Sequence, residues 1–292
     1  MKLFLAGADE GGKIEIIRNS NHPYFLSSYY VHRKKFNPKW LKWYNKTKHG
    51  DWIMDSGLFT MMFGAGKHKT YTEEDLLKYT HKYLKDLKSI NYNHYIVEMD
   101  VHKVLGLNSL KRFRNIFKEN YPIEKTIYVW HIEEGKKGFV KLCKTYPYIA
   151  ISIPELRIVL KGKGSLNNAV ISLIKEANKI NPKIKIHLLG CTQQNLMEQK
   201  GYYSCDSTSW FSSARFGTAS IFNGFKLQQI KISNKQYQNY IKLKRDEYIN
   251  AREELLDTEY NFNMFFGAKA YSCLNTYINN KHYNYEPIKN IL

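Results

Sequence analysis

The sequence predicts an α/β fold, an eight-stranded (β/α)8 barrel with extra C-terminal helices, on three observations. Short apolar runs alternate with amphipathic helical stretches between residues 51 and 217. Strands that alternate with helices in this way run parallel, because each crossover needs roughly a dozen residues. Counted with Lys2 to Ala6, the strands number about eight, enough to close a TIM-type barrel. The residues that carry chemistry, Asp55, Asp100, His131, Glu155, Gly190 and Asp206, fall where strands end, and in a barrel those ends converge on one mouth. An open doubly wound sheet is the alternative. The missing Gly-x-Gly-x-x-Gly fingerprint counts against its dinucleotide-binding version.

Taken in order, Lys2 to Ala6 reads as a buried strand, followed by a hairpin around Gly11-Gly12 and an extended polar region to Gly50. That region is the strongest basic-aromatic segment, with Tyr29-Tyr30, Arg33-Lys34-Lys35, Trp40 and Trp43 among lysines. Such a mixture suits phosphates and stacked bases, although Trp40 and Trp43 also fit the apolar stripe of a short helix. Trp52 to Met54 then runs into Asp55-Ser56-Gly57, and a helix follows with Leu76, Leu77, Tyr83, Leu84 and Leu87 as its apolar face. Tyr95 to Met99 ends at Asp100, with Leu110 to Phe117 as its helix. Thr126 to Trp130 ends at His131, and Tyr148 to Ile153 at Pro154-Glu155, before a helix over 169–180. Ile184 to Leu189 ends at Gly190-Cys191, and Tyr202 to Cys205 at Asp206. A last strand is expected within Phe225 to Ile232, then a helical tail from Asn234 with a second helix from Tyr260 to Ile278. No linker separates these parts, so residues 1–292 read as one domain, a barrel core to about 232 and a helical extension over 233–292.

Composition narrows the function classes. Forty-five Lys plus Arg against 26 Asp plus Glu leave a formal charge of +19, which calls for a polyanionic partner. The 23 Tyr, 15 Phe and 5 Trp supply stacking surfaces and make that partner a nucleic acid. No apolar run approaches the roughly 20 residues of a membrane span, and the N-terminus turns acidic at Asp9-Glu10, too early for a signal peptide. The expectation is a cytoplasmic protein, in the host cytoplasm if the chain is viral. Cys143, Cys191, Cys205 and Cys273 are scattered, so no disulfide framework, zinc knuckle or other metal or cofactor motif is indicated.

Two motifs need weighing. Gly64-Ala65-Gly66-Lys67-His68-Lys69-Thr70 fails as a phosphate loop, which needs four residues between its glycines and Ser or Thr after its lysine. It reads as a glycine-rich loop whose Lys67 and Lys69 meet a phosphate backbone, with Arg33, Lys34, Lys35 and Arg215 as further basic contacts. Asp206-Ser207-Thr208 is an ordinary helix N-cap cluster, and it is equally a carboxylate at a strand end, able to attack a sugar carbon. Aspartates sharing one mouth push each other's protonation apart, so that one stays anionic while another moves a proton. That suits glycosyl transfer with retention through a covalent intermediate.

A family resemblance sharpens this. Asp55-Ser56-Gly57-Leu58-Phe59-Thr60 resembles the Asp-Ser-Gly-Gly-Phe-Gln signature of the tRNA-guanine transglycosylases, and His187-Leu188-Leu189-Gly190 resembles their late strand ending in Gly. Asp206-Ser207-Thr208-Ser209-Trp210 is closer to the DNA-directed bacteriophage branch, which exchanges 7-deazaguanine bases into DNA. The resemblance implies that Asp206 attacks C1′ and that Asp55 is the general acid/base. It makes Asp100 the acceptor for the guanine Watson–Crick edge. His131 falls where the family has a base-contacting Gln. Ser152 and Ile153 correspond to backbone lining the base pocket, Ser56 and Gly57 belong to the signature, and Gly190 lets the chain approach the substrate. The co-substrate implied is a free 7-deazaguanine base, with no cofactor.

The departures matter too. Leu58 and Thr60 replace the second Gly and the Gln of the signature, and the family's Cys-x-Cys-x-x-Cys zinc site and the Pro-Thr-Arg after its nucleophile are absent. They favour DNA over tRNA as the substrate. A non-catalytic nucleic-acid-binding barrel is the reading from another class, in which the carboxylates are only caps. A glycoside hydrolase is disfavoured, because carbohydrate has no use for so basic a protein.

Overall fold

The computed structural model describes residues 1–7, 9, 13–34, 36, 50–63, 70–160, 163–235, 237–239 and 259–283. Eight parallel strands close into a barrel: β1 (Lys2–Ala6), β2 (Tyr24–Ser28), β3 (Asp51–Asp55), β4 (Tyr95–Val97), β5 (Thr126–Trp130), β6 (Tyr148–Ser152), β7 (Lys185–Leu189) and β8 (Ser204–Ser207). β8 pairs with β1, Phe4 opposite Asp206, and this pairing closes the ring. The expected TIM-type barrel is therefore present.

Side chains alternate between the barrel interior and the helical layer, as the two-residue period of a strand requires. Phe4, Leu26, Ile53, Val97, Tyr148 and Ala150 form one buried cluster, while Leu3, Leu5, Trp52, Met54, Ile149 and Cys205 join a larger one beneath the helices. Asp55 shares the inward parity of Ile53, and His187 and Asp206 sit at inward positions of their strands.

The outer layer includes α1 (Lys13–Asn19), α2 (Glu73–Ser89), α3 (Leu107–Asn120), α4 (Gly135–Thr145) and α5 (Lys163–Ile180). In α2 the sequence dictates both the start and the buried face. The Thr72 hydroxyl accepts from the Asp75 N–H, and the Asp75 carboxylate accepts from the Thr72 N–H, a reciprocal cap. Glu73, Glu74 and Asp75 lie at the positive end of the helix dipole and Lys88 in its last turn. Leu76, Thr80, Tyr83, Leu84 and Leu87 repeat at helical spacing and are buried. A long helix, α6 (Glu259–Tyr283), packs over the closure of the barrel, where the Asn275 side-chain oxygen accepts from the Leu3 N–H at 2.9 Å.

Three expectations need correction. The expected eighth strand over 225–232 is not in the barrel: β9 (Thr218–Phe222) and β10 (Leu227–Lys231) pair antiparallel, and the connection between them is too short for a parallel crossover. Its place in the ring belongs to β2, inside the stretch expected to be extended and polar. No hairpin follows β1 either, since β1 and β2 are parallel with α1 between them. Gly11 and Gly12 themselves lie outside the described residues, as do Lys35, Trp40, Trp43, Gly64 to Lys69 and all of 240–258. None of the described helices is long and apolar enough to cross a membrane.

Candidate active site at the barrel mouth

Asp55 is the last residue of β3, and Gly57 turns the chain away from it at φ +76°. A side chain at Gly57 would run into Tyr30 and Ser28, so both its conformation and its surroundings demand glycine. Its N–H donates to Asp55 Oδ2 at 3.1 Å. Burial is the main influence on the Asp55 carboxyl, and neighbouring Asp100, with smaller contributions from Asp206 and Asp9, adds to it; together they push it up to about 7. Ser56 is buried, and its carbonyl accepts from Tyr79 Oη at 2.7 Å.

Asp206 lies within β8 and is 7% exposed. Its Oδ1 accepts from the Gly190 N–H at 2.9 Å and lies 3.1 Å from His187 Nε2. A carboxylate only accepts, so Nε2 carries the proton. His187 Nδ1 then accepts from the Ser204 hydroxyl at 2.6 Å, and Ser204 lies 2.5 Å from Tyr148 Oη. This relay across the barrel interior is fully buried. Among the described residues no hydrogen bond reaches Asp206 Oδ2, so that oxygen keeps its lone pairs unengaged. Gly190 holds φ +61°, and the room a Cβ would need is taken by Pro154. Gly190 thus serves the turn and the Asp206 contact.

Asp100 stands three residues past β4. Burial raises its carboxyl above the usual range, against the pull of His131 and His102. No Lys or Arg pairs with Asp55, Asp100 or Asp206 among the described residues. His131 is fully buried directly after β5, its ring stacked on His102 with centroids 3.5 Å apart. Glu155 adjoins both rings, its carboxylate oxygens 3.3 Å from His102 Nε2 and 3.7 Å from His131 Nδ1. Ser152 caps the short helix Ile153–Val159, its hydroxyl accepting from the Glu155 N–H at 3.4 Å, and the Ile153 side chain is core.

The backbone on either side of β5 is fixed by a buried ion network. Arg114 on α3 donates to Glu98, to Glu134 and to the Val129 carbonyl. Glu98 accepts from the Val129 N–H at 2.8 Å, and Glu134 from the His131 N–H at 3.1 Å.

Of the basic residues, Arg33 stacks 3.4 Å above the Tyr30 ring and lines an open cleft with Tyr71 and Tyr79. Lys34 and Arg215 are exposed, Arg215 lying over Phe211. Lys35, Lys67 and Lys69 lie outside the described residues. Trp210 is core: it is fully buried, with Nε1 donating to the Ala6 carbonyl at 2.9 Å.

Three residues escaped the sequence reading. His187 appeared only inside a motif, and its inward parity on β7 was the available signal. Asp9, which accepts from the Ser28 N–H at 3.0 Å and adjoins His32, stood beyond the first strand with no helical pattern to frame it. His102 gave no signal apart from its place two residues after Asp100.

Comparison with models of known protein families gives no match for this chain, and no curated protein matches it.

Proposed function

We propose that this barrel is a guanine transglycosylase that exchanges a guanine base in DNA for a 7-deazaguanine derivative through a covalent Asp206 intermediate. The observation that carries the reading is the carboxylate pair at the mouth. Asp206 is oriented by His187 and Gly190 with one oxygen free, and Asp55 is pushed up to about 7, the range in which one group can both give and take a proton at neutral pH.

In this reading Asp206 Oδ2 forms a bond to C1′ while the bond from C1′ to guanine N9 breaks. The leaving base takes the electron pair, and protonated Asp55 supplies its proton. The incoming 7-deazaguanine then loses its N9 proton to the Asp55 carboxylate and attacks C1′, and the ester to Asp206 breaks. Asp100 accepts from the ring N–H and amine of the base, which present two donors side by side. The +19 charge and the exposed Phe59 and Phe216, four and nine residues past the ends of β3 and β8, support a nucleic-acid surface with stacking positions.

The test is mass spectrometry of nucleosides from DNA and from tRNA incubated with the protein and candidate 7-deazaguanines. Modified deoxyguanosine is expected; modified guanosine in tRNA alone moves the substrate to tRNA. Binding without exchange on either nucleic acid leaves the non-catalytic barrel.

A further inference from the structure

His102, His131 and Glu155 follow three consecutive strands, β4, β5 and β6, and each brings one ligand atom within 4.8 Å of the others. These residues share no local spacing, so no metal motif is legible in the sequence.

His102 shows which protonation state the site accepts. Its Nδ1 lies 3.2 Å from the Asp100 carbonyl, which only accepts, so that nitrogen carries the proton. In the neutral ring Nε2 therefore presents a lone pair, and it faces Glu155 Oε1 at 3.3 Å and Glu133 Oε2 at 3.8 Å. A lone pair aimed at carboxylates requires positive charge between them. Protonating both rings supplies it badly, because imidazolium rings stacked at 3.5 Å repel in a buried site. One shared cation meets the need of both.

His131 makes the same demand independently. It is fully buried, and neither ring nitrogen has a hydrogen-bond partner among the described residues, a rare condition for a buried polar group. Its Nδ1 lies 3.7 Å from Glu155 Oε2. Separations of 3.3 and 3.7 Å are long for hydrogen bonds and near the roughly 3.3 Å between adjacent ligands of a tetrahedral ion with metal–nitrogen bonds of about 2.0–2.1 Å. The rings lie 23° from parallel, so convergence of both lone pairs turns the His131 ring out of the stack. That turn breaks no hydrogen bond of the ring.

The surroundings are those of a supported site. The Asp100 carbonyl on His102 Nδ1–H fixes the tautomer and ring orientation, as outer partners of metal-bound histidines do. Glu134 holds the His131 backbone from both sides, accepting its N–H and donating to its carbonyl.

We propose that His102, His131 and Glu155 bind one divalent first-row transition ion through two imidazoles and one carboxylate, with a fourth position for water or Glu133. Imidazole and carboxylate without thiolate suit zinc, iron(II) or manganese. The site does not depend on the base-exchange reading and stands or falls separately from it.

The full chain is stripped with chelator, equilibrated with Zn²⁺ or Co²⁺, dialysed and measured by elemental mass spectrometry, visible absorption and thermal melting. One zinc per chain, a raised melting temperature and visible Co²⁺ bands are expected. Glu155→Gln and His131→Ala should weaken zinc binding by more than about 100-fold, beyond the 10–100-fold typical of losing an outer partner. His81→Ala, on the exposed face of α2, should leave it unchanged. If His131→Ala does not fold, Glu155→Gln decides, since that side chain is 20% exposed. Substoichiometric zinc with no melting shift, or binding that survives Glu155→Gln, overturns the proposal.

Discussion

β3 carries an aspartate at each end, Asp51 and Asp55, and the two ends of the barrel treat them in opposite ways. Asp51, at the N-terminal end, is paired with Lys2 and adjoins His94. The His94 ring foremost, with Lys2, holds its carboxyl down to about 2 against the effect of burial. Around it Lys2 and Lys185 lie over the Tyr95 and Tyr203 rings, closing that end with paired charge and aromatic faces. At the mouth, Asp55 has other carboxylates as its charged neighbours and rises to about 7. One end pairs its aspartate with opposite charge, and the other sets Asp55 among carboxylates with no cationic partner among the described residues.

The comparison breaks hardest at Asp206. Asp206→Asn should lower exchange of labelled guanine by about 10³-fold or more while leaving the melting curve near that of the wild type; exchange at the normal rate would remove Asp206 from the chemistry. Asp55→Asn should cost about 10²–10⁴-fold in rate and abolish a limb of the rate profile near pH 7, read from exchange rates between pH 5 and 9.

The same substitution should stabilise the protein. The folded carboxyl is raised, so its contribution is full below pH 4 and is lost as pH rises through about 7. Asp55→Asn should therefore gain up to about 4 kcal/mol at pH 8 and nearly nothing at pH 4, in urea melts. Asp51 has the reverse sign: its folded carboxyl is depressed, so its contribution is present above pH 4 and lost as pH falls through about 2. Asp51→Asn should cost about 1–2 kcal/mol at pH 7 and leave exchange unchanged. A drop in exchange beyond the loss of folded protein would show that the two ends are not separable.

The fold was legible where local pattern decided it. β1 and β5 begin and end where their apolar runs do. β2 was not, because it ends in serines within a region whose strongest signal is its basic and aromatic residues. The strand expected over 225–232 carried a strand pattern, but only the short link from Phe222 separates a hairpin from a barrel strand. At the site, Asp55, Asp100 and Asp206 were legible as strand ends. The relay from His187 to Tyr148 and the face of His102 toward His131 and Glu155 were not, since they arise from parity and from contacts between different strands. The cap cluster after Asp206 was partly right: Ser207 Oγ accepts from the Ser209 N–H at 3.1 Å, while the contacts that hold Asp206 come from the end of β7.

The pairing of β8 with β1 also has a kinetic consequence. The first strand finds its second neighbour only when the last arrives, and the Trp210 bond to Ala6 spans 204 residues. Contacts so distant along the chain are slow to form. During synthesis β1 waits with one edge unpaired, exposed to mispairing. Asp206 belongs to the strand that ends this wait, so the mouth acquires its proposed nucleophile in the step that closes the ring.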